Sequence, residues 1–285
     1  MTQKPILLAT DLSPRCDRAL DRSVMLAAEW HARLVVLHVL EQPEPVSDLP
    51  SWRRPSDPLH AARQRVLNDL RDVEGIDLEI MVERGNPATV ILDVAQRLDC
   101  ELVMTGVARD ETLGRILLGT TVEALTRQAS APVLVVKSRP RAAYRNVVAA
   151  TDFSDGSRQA FETALALFPQ AQITLFHAFS VPFEGHMSDQ MAARERRKRE
   201  VIAESQAFLD GTPAVKAAGR TIPILAEYGA PGALLQDLAL AGGVDLVVMG
   251  TRGRSGLARM LVGSVAHDLL RLLPVDALLV RQRRD

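Results

Sequence analysis

Short apolar runs alternate with longer amphipathic segments along the whole chain. Buried strands of a parallel sheet carry nearly continuous apolar runs, and the helices that cover them repeat apolar residues every three or four positions. The alternation therefore predicts βαβ units on parallel sheets. The predicted strands are Ile6–Ala9, Leu34–Val39, Leu78–Val82, Leu102–Met104 and Val133–Val136, followed by Val147–Ala150, Ile173–Ala178, Ile222–Ala226, Leu246–Val248 and Ala277–Val280.

Helical patterns fill the intervals between these strands. The predicted helices are Arg15–Trp30, Pro58–Val73, Pro87–Leu98, Thr120–Ala129, Ser157–Leu167, Met187–Leu209, Gly232–Leu240 and Val265–Leu272. Pro87 and Pro231 favour helix starts, because proline suits the first helical turn.

The two halves of the chain repeat one another. ILLATDLS from Ile6 recurs as VVAATDFS from Val147, and ERGNPATVILDVA from Glu83 recurs as EYGAPGALLQDLA from Glu227. Repetition of several blocks in the same order indicates a duplicated domain. We predict a first domain at 1–137, a linker at 138–143 and a second domain at 144–285.

Composition restricts the partners and the compartment. The formal net charge is −1, which gives no general electrostatic case for nucleic acid or membrane binding. The charge run RERRKRE at 194–200 is interpreted as a solvated helix face. No apolar run is long enough to span a bilayer, the N-terminus does not resemble a signal peptide, and Cys16 and Cys100 lack metal-site spacing. A soluble cytoplasmic protein is the simplest expectation.

A glycine-rich segment follows the fourth strand of the second half. It reads MGTRGRSGLARMLVGS over 249–264, with three arginines and no acidic residue, and it leads into a predicted helix. Backbone N–H groups at such a helix start, together with the helix dipole, bind anions. The segment matches neither a P-loop nor a dinucleotide fingerprint. Two interpretations stay open from the segment alone: a polyphosphate-binding loop, and a surface loop whose glycines serve turns.

Two further pairs of residues recur at strand ends. Asp11 and Asp152 each follow a first strand, where an aspartate either caps the next helix or contacts a ligand at the carboxyl end of the sheet. His38 and His177 lie near the end of each second strand, with no acid or second histidine at catalytic spacing. We interpret them as packed structural histidines. No nucleophile with an adjacent base is recognisable, which argues against an enzyme.

The duplicated domain, the Thr-Asp-Phe-Ser strand end, the strand-borne histidine and the Gly-x2-Gly-x9-Gly-Ser spacing together resemble the universal stress protein family, in its tandem form. The resemblance covers nearly the whole chain. It implies two doubly wound α/β/α sandwiches of the adenine nucleotide alpha hydrolase-like type, each with a five-stranded parallel sheet of order 3-2-1-4-5.

The ATP-binding branch of the family further implies an ATP site, with Mg²⁺, in the second domain. Asp152 and Ala178 match the positions that contact the adenosine part, and Met249 would line the pocket. The residues that match the phosphate-binding positions are Gly250, Arg252, Gly253, Gly263, Ser264 and Val265. In the first copy the second glycine is Arg109, and Asp110 and Glu111 offset its charge. We therefore expect the first site to be weak or empty.

Three functions remain in competition. The first is an ATP-binding stress-response or regulatory module with an unknown protein partner. The second is a slow ATPase, and the third is a structural interaction protein whose pockets are vestigial. Single-domain members of the family commonly dimerise through the last strand of the sheet. We therefore expect the equivalent strands, Leu134–Val136 and Leu278–Val280, to form the same contact within one chain. A homodimer of chains is a further option.

Overall fold

The computed structural model describes residues 4–14, 16–41, 57–110, 115–117, 119–186, 188–251 and 264–282. The chain divides into two compact units, residues 1–143 and 144–285. The strands of the first unit are β1 (Ile6–Thr10), β2 (Leu34–Leu40), β3 (Leu78–Arg84), β4 (Leu102–Gly106), β5 (Ala108–Asp110), β6 (Arg115–Leu117) and β7 (Val133–Val136). Its helices are α1 (Asp17–Trp30), α2 (Pro58–Asp69), α3 (Pro87–Arg97) and α4 (Thr120–Gln128).

The second unit repeats this order. Its strands are β8 (Asn146–Ala150), β9 (Gln172–Phe179), β10 (Ile224–Tyr228), β11 (Leu246–Gly250) and β12 (Asp276–Val280). Its helices are α5 (Asp155–Leu167), α6 (Gln190–Asp210), α7 (Pro213–Ala218), α8 (Pro231–Leu240) and α9 (Ser264–Leu272). A short 3-10 turn over Glu184–His186 lies between β9 and α6.

The sheet order confirms the prediction in both units. It is β3-β2-β1-β4-β7 in the first and β10-β9-β8-β11-β12 in the second, which is 3-2-1-4-5 in each case when the large strands are counted in chain order. All strand pairs within these two sheets that have a described register are parallel. The helices enclose each sheet in an α/β/α sandwich.

Apolar strand residues form the core of each unit. Ile6, Leu7 and Leu8 of β1 are fully buried, as are Leu246 and Val247 of β11. A strand in the middle of a parallel sheet is covered on both faces, so consecutive residues are apolar rather than alternating. That requirement explains why short continuous runs predicted these strands within a few residues.

Besides the 3-10 turn, three elements were not predicted, the strands β5 and β6 and the helix α7. The segment between β4 and α4 contains the antiparallel pair β5 and β6, in which Arg109 is opposite Ile116. The second unit contains the short helix α7, which begins at Pro213, ends at Ala218 and is followed by the left-handed cap residue Gly219. Neither segment is long or periodic enough for hydrophobic patterning to reveal it.

Candidate functional site

A tight turn follows the first strand of the second unit. The Thr151 Oγ1 atom accepts a hydrogen bond from the Phe153 N–H (2.9 Å), and Asp152 Oδ1 accepts one from the Ser154 N–H (3.1 Å). Phe153 has φ 63°, a left-handed conformation that costs a non-glycine residue energy. Side chains that accept bonds from the backbone two residues ahead hold such turns. The turn therefore fixes the Asp152 carboxylate at the carboxyl edge of β8.

Asp152 is not the cap of the following helix. The N-cap of α5 is Ser154, whose side chain accepts from the Ser157 N–H at 3.2 Å. The Ser154 hydroxyl in turn donates to Asp152 Oδ1 at 2.5 Å. The capping interpretation of Asp152 was wrong by two residues, because the turn advances the chain before the helix begins. Asp152 contacts the start of this helix through the N–H and hydroxyl groups of Ser154.

The first unit has the same turn with a different continuation. Leu12 has φ 58° and its N–H donates to Thr10 Oγ1, while the Ser13 N–H donates to Asp11 Oδ1 at 2.9 Å. Here α1 begins only at Asp17, and its N-cap, Cys16, makes no side-chain capping bond. Burial raises the pKa of the Cys16 thiol to about 11, and this neutral thiol donates to Asp11 Oδ1. Asp11 is therefore no helix cap either.

The histidines of β2 and β9 form hydrogen bonds to the residue that begins the turn in their own unit. The Nδ1 atom of His177 lies 2.8 Å from the Thr151 carbonyl oxygen, and that of His38 lies 2.9 Å from the Thr10 carbonyl oxygen. A carbonyl oxygen only accepts, so Nδ1 carries the proton in both cases. The His177 ring also stacks on Phe153 with centroids 4.3 Å apart, and burial lowers its pKa. These contacts confirm packed structural histidines.

Strand pairing brings three predicted site residues to one edge of the second sheet. Strand β8 lies between β9 and β11, so Asp152, Ala178 and Gly250 all lie at its carboxyl edge. Ala178 is half-buried and is in register with Glu227. Met249, the residue before Gly250, is buried with 3% of its surface exposed. In open sheets of this topology, ligands bind beyond the carboxyl ends of the strands.

Gly250 has a packing role that the sequence does not reveal. A Cβ atom at this position would lie 2.9 Å from the carbonyl carbon and oxygen of Gly156, in the first turn of α5. Those atoms belong to backbone and cannot move aside cheaply. Gly250 therefore allows the start of α5 to pack against the end of β11, independently of any ligand.

The remaining predicted residues are only partly described. Arg252, Gly253 and Gly263 lie outside the described residues. Ser264 and Val265 are the first two residues of α9, whose first turn contains no acidic residue. The equivalent helix of the first unit, α4, carries Glu123 in its first turn. Since anions prefer a helix N-terminus without a carboxylate, the two helix starts differ in the ligand charge they favour.

The first unit has an open pocket at its carboxyl edge. The pocket has a volume of about 280 Å³. It lies between the ends of β1, β2 and β4 and the first turns of α3 and α4, and its lining includes Asp11, Glu41, Ile91 and Thr121. Sequence analysis missed Glu41. The repeat aligns Glu41 with Ser180, the residue directly after β9. This alignment shows that the first unit has a negative charge where the second has a neutral serine.

A second group of residues was missed at the edge strand β10. Glu184 accepts hydrogen bonds from Tyr228 and from Arg194, and the Arg194 guanidinium lies 4.1 Å from the centre of the Tyr228 ring. The bond from Tyr228 lowers the pKa of Glu184. Arg194 begins the charge run 194–200, so the interpretation of that run as a solvated face holds only in part.

Some arrangements are absent from the described part of the chain. No helix there is both long and apolar enough to cross a membrane. Within the same residues, no three histidine, cysteine or acidic side chains come together as a metal site would require.

The fold and the two strand-end turns define a doubly wound α/β protein that carries two copies of one domain. The chain belongs to the universal stress protein family, whose model matches residues 2–137 and 143–281. The fold of each unit is accordingly the adenine nucleotide alpha hydrolase-like fold.

The similarity to a tandem relative extends over the full chain. A universal stress protein of Mycolicibacterium smegmatis is 26% identical, and the alignment covers 99% of this chain and 98% of that protein. A universal stress protein of Methanocaldococcus jannaschii is 29% identical over 47% of this chain and 82% of its own length.

Solved structures support the same fold. A universal stress protein from Archaeoglobus fulgidus superposes with a TM-score of 0.66 at 19% identity and covers 99% of this chain and 100% of its own. A protein of unknown function from Pseudomonas aeruginosa superposes with a TM-score of 0.70 at 21% identity, covering 98% of this chain and 92% of its own.

Proposed function

We propose that this universal stress protein is an ATP-binding regulatory module that holds one nucleotide in its second unit. The observation that carries the proposal is the convergence of Asp152, Ala178 and Gly250 at one sheet edge. Gly250 opens the Gly-x2-Gly-x9-Gly-Ser segment, which carries arginines and no acid. These are the positions that the ATP-binding branch of the family uses.

The described residues fit an adenine nucleotide at this edge. Asp152 supplies a carboxylate that can accept hydrogen bonds from ribose hydroxyls, as an acidic residue does in dinucleotide-binding folds. Ala178 and the buried Met249 are apolar, which suits the adenine ring. At the other end, α9 begins at Ser264 without an acidic residue in its first turn, which suits a polyphosphate.

The segment between these elements completes the proposed site in sequence terms. Its glycines would supply backbone N–H groups for the phosphates, and its arginines would supply positive charge. The glycines are Gly253 and Gly263, and the arginines are Arg252, Arg254 and Arg259. Bound Mg²⁺ would neutralise part of the phosphate charge. The first copy replaces Gly253 by Arg109 and adds Asp110 and Glu111, so we propose that ATP prefers the second unit.

Binding rather than catalysis is the proposed role. A ligand that binds only the folded state stabilises it by mass action, so ATP occupancy can bias the conformation of the second unit and the surface it offers to a protein partner. The rival role of a slow ATPase predicts that phosphate appears when the purified protein is incubated with ATP. The rival role of an interaction protein with vestigial pockets predicts that ATP gives no thermal protection.

The direct test is calorimetric titration of nucleotide-free protein with Mg-ATP. We expect saturation near one equivalent per chain. The substitution Gly253→Arg, which copies the first unit, should remove most of this binding, whereas Arg109→Gly should leave it intact or add a weaker second event. Two equal sites in the parent, or undiminished binding in G253R, would contradict the assignment.

A further inference from the structure

Ser154 donates two hydrogen bonds to one oxygen of the Asp152 carboxylate. Its N–H group lies 3.1 Å from Oδ1, and its hydroxyl oxygen lies 2.5 Å from the same atom. A hydroxyl group that donates to an ionised carboxylate forms a shorter and stronger bond than it does with a neutral acceptor. Two bonds to one oxygen restrict the rotation of a side chain as short as aspartate. Ser154 therefore limits the directions in which the carboxylate can point.

The Ser154 hydroxyl is itself held by the start of α5. Its Oγ atom accepts a hydrogen bond from the Ser157 N–H at 3.2 Å while it donates to Asp152. The Ser157 side chain is buried, and its hydroxyl oxygen lies 2.9 Å from Thr151 Oγ1. Linked hydrogen bonds polarise one another, so the bond from Ser157 strengthens the donation to the carboxylate. One hydroxyl group thus connects a packed helix start to Asp152.

The first unit has a weaker arrangement around the equivalent aspartate. Asp11 Oδ1 accepts from the Ser13 N–H at 2.9 Å and from the Cys16 thiol at 3.1 Å. A thiol is a weaker donor than a hydroxyl group. The buried Ser13 hydroxyl has no hydrogen-bond partner in the described part of the chain. The two serines therefore occupy equivalent positions, but of the two hydroxyl groups it is that of Ser154 that holds its aspartate.

We propose that Ser154 is a positioning residue for nucleotide binding in the second unit. The inference rests on the proposed contact between Asp152 and ATP, and it adds that Ser154 acts through this carboxylate without touching the nucleotide. A ligand that meets an already oriented side chain avoids the free-energy cost of ordering it. The hydroxyl group at position 154 then raises the ATP affinity of the second unit, separately from its effect on the stability of α5.

The substitution Ser154→Gly separates these two effects. Glycine at an N-cap is nearly as favourable as serine, so S154G should unfold in urea close to the parent. Calorimetric titration with Mg-ATP should show binding about threefold to tenfold weaker than in the parent, because the ligand must then order Asp152. Ser154→Thr keeps the hydroxyl group and should bind within about twofold of the parent. Ser13→Gly is the matched control, and it should leave the ATP affinity unchanged.

A double-mutant cycle tests whether Ser154 acts through Asp152. In an Asp152→Ala background, S154G should weaken ATP binding no further, because the side chain that it orients is gone. An additional loss would mean that position 154 acts on the nucleotide by another route. That result would overturn the proposal, as would an S154G variant that binds ATP as tightly as the parent.

A measurement without nucleotide distinguishes this proposal from the ATP site itself. NMR couplings between the backbone and Cγ of Asp152 report the χ1 rotamer of this side chain. We expect one rotamer in the parent and in S154T, and averaging over several in S154G. Equal couplings in the parent and S154G would overturn the positioning role. If the parent binds no ATP, the proposed function fails, while the couplings still decide whether Ser154 orients Asp152.

Discussion

The two units share a backbone frame and differ in the side chains at its carboxyl edge. Each has the same sheet order, the same left-handed turn after the first strand and the same histidine bonded to a strand-end carbonyl group. The differences are Glu41 against Ser180, Glu123 against His267 and Arg109 against Gly253. The comparison teaches that packing preserves the frame while the side chains change at a few edge positions.

Helix capping also differs between the units, in opposite directions. Ser154 caps α5 in the second unit, whereas the buried Ser13 hydroxyl has no hydrogen-bond partner in the described part of the chain. The reverse holds two helix pairs later: Asn86 caps α3 by accepting from the Thr89 N–H, whereas Ala230 gives α8 no side-chain cap. Equivalent positions in a duplicated fold therefore contribute unequally to stability.

The largest expected effect concerns the two aspartates. Asp152→Ala should weaken ATP binding by about 1.5–3 kcal/mol, roughly ten- to a hundredfold in affinity, because it removes a charged hydrogen-bond acceptor. Asp11→Ala should leave ATP affinity unchanged. Calorimetric titration of both variants gives the measurement. Unfolding curves of the same samples identify any loss that arises from the turn, since Asp152 also accepts from Ser154. Equal losses of ATP affinity in D11A and D152A would remove the asymmetry between the units.

Gly250→Ala tests packing at the proposed ATP site. The added Cβ would lie 2.9 Å from the Gly156 backbone, so we expect a destabilisation of about 1–3 kcal/mol, typical of overpacking. The control is Gly232→Ala in α8, where the nearest atom is 3.6 Å away and alanine favours the helix. Urea unfolding measures the free energy of unfolding of both variants. A stable G250A variant that has lost only ATP affinity would show that the glycine serves the ligand instead.

Helix capping supplies the next comparison. Ser154→Ala should destabilise the protein by about 1 kcal/mol, as is usual for loss of an N-cap. The equivalent substitution Ser13→Ala should cost little or be slightly stabilising, because the buried hydroxyl has no partner among the described residues to lose. Thermal unfolding of the two variants measures both changes in stability. A larger loss in S13A than in S154A would contradict the capping assignment.

The smallest expected effect is the pH dependence that His177 contributes. Burial lowers its pKa in the folded state below its usual value of 6.5, so the unfolded chain binds the proton more tightly. The stability is present above pH 6.5 and is lost as the pH falls through the folded-state pKa. His177→Asn keeps an N–H donor for the Thr151 carbonyl but cannot titrate. Chemical unfolding between pH 7 and 5 should show a shallower decline in H177N than in the parent. An unchanged slope would mean that other groups dominate.

Local pattern was sufficient for most of the architecture. The apolar runs predicted all ten strands of the two large sheets, and repetition predicted that both units share one order. Proline at the start of α3 and α8 marked both helix starts. These features depend on period, turn chemistry and steric preference, which neighbouring residues determine. The same repeat comparison also locates the substitutions at 41, 109 and 123.

Only the tertiary structure decided which partners the edge residues have. Ser154 rather than Asp152 caps α5, Gly250 accommodates the backbone of a helix ninety-odd residues earlier in the chain, and Arg194 binds Glu184 against Tyr228. The contacts of Gly250 with Gly156 and of Tyr228 with Glu184 join residues far apart in sequence, which only the folding of whole βαβ units brings together. A pattern of neighbouring residues predicts where an edge lies, whereas the three-dimensional packing determines which atoms meet there.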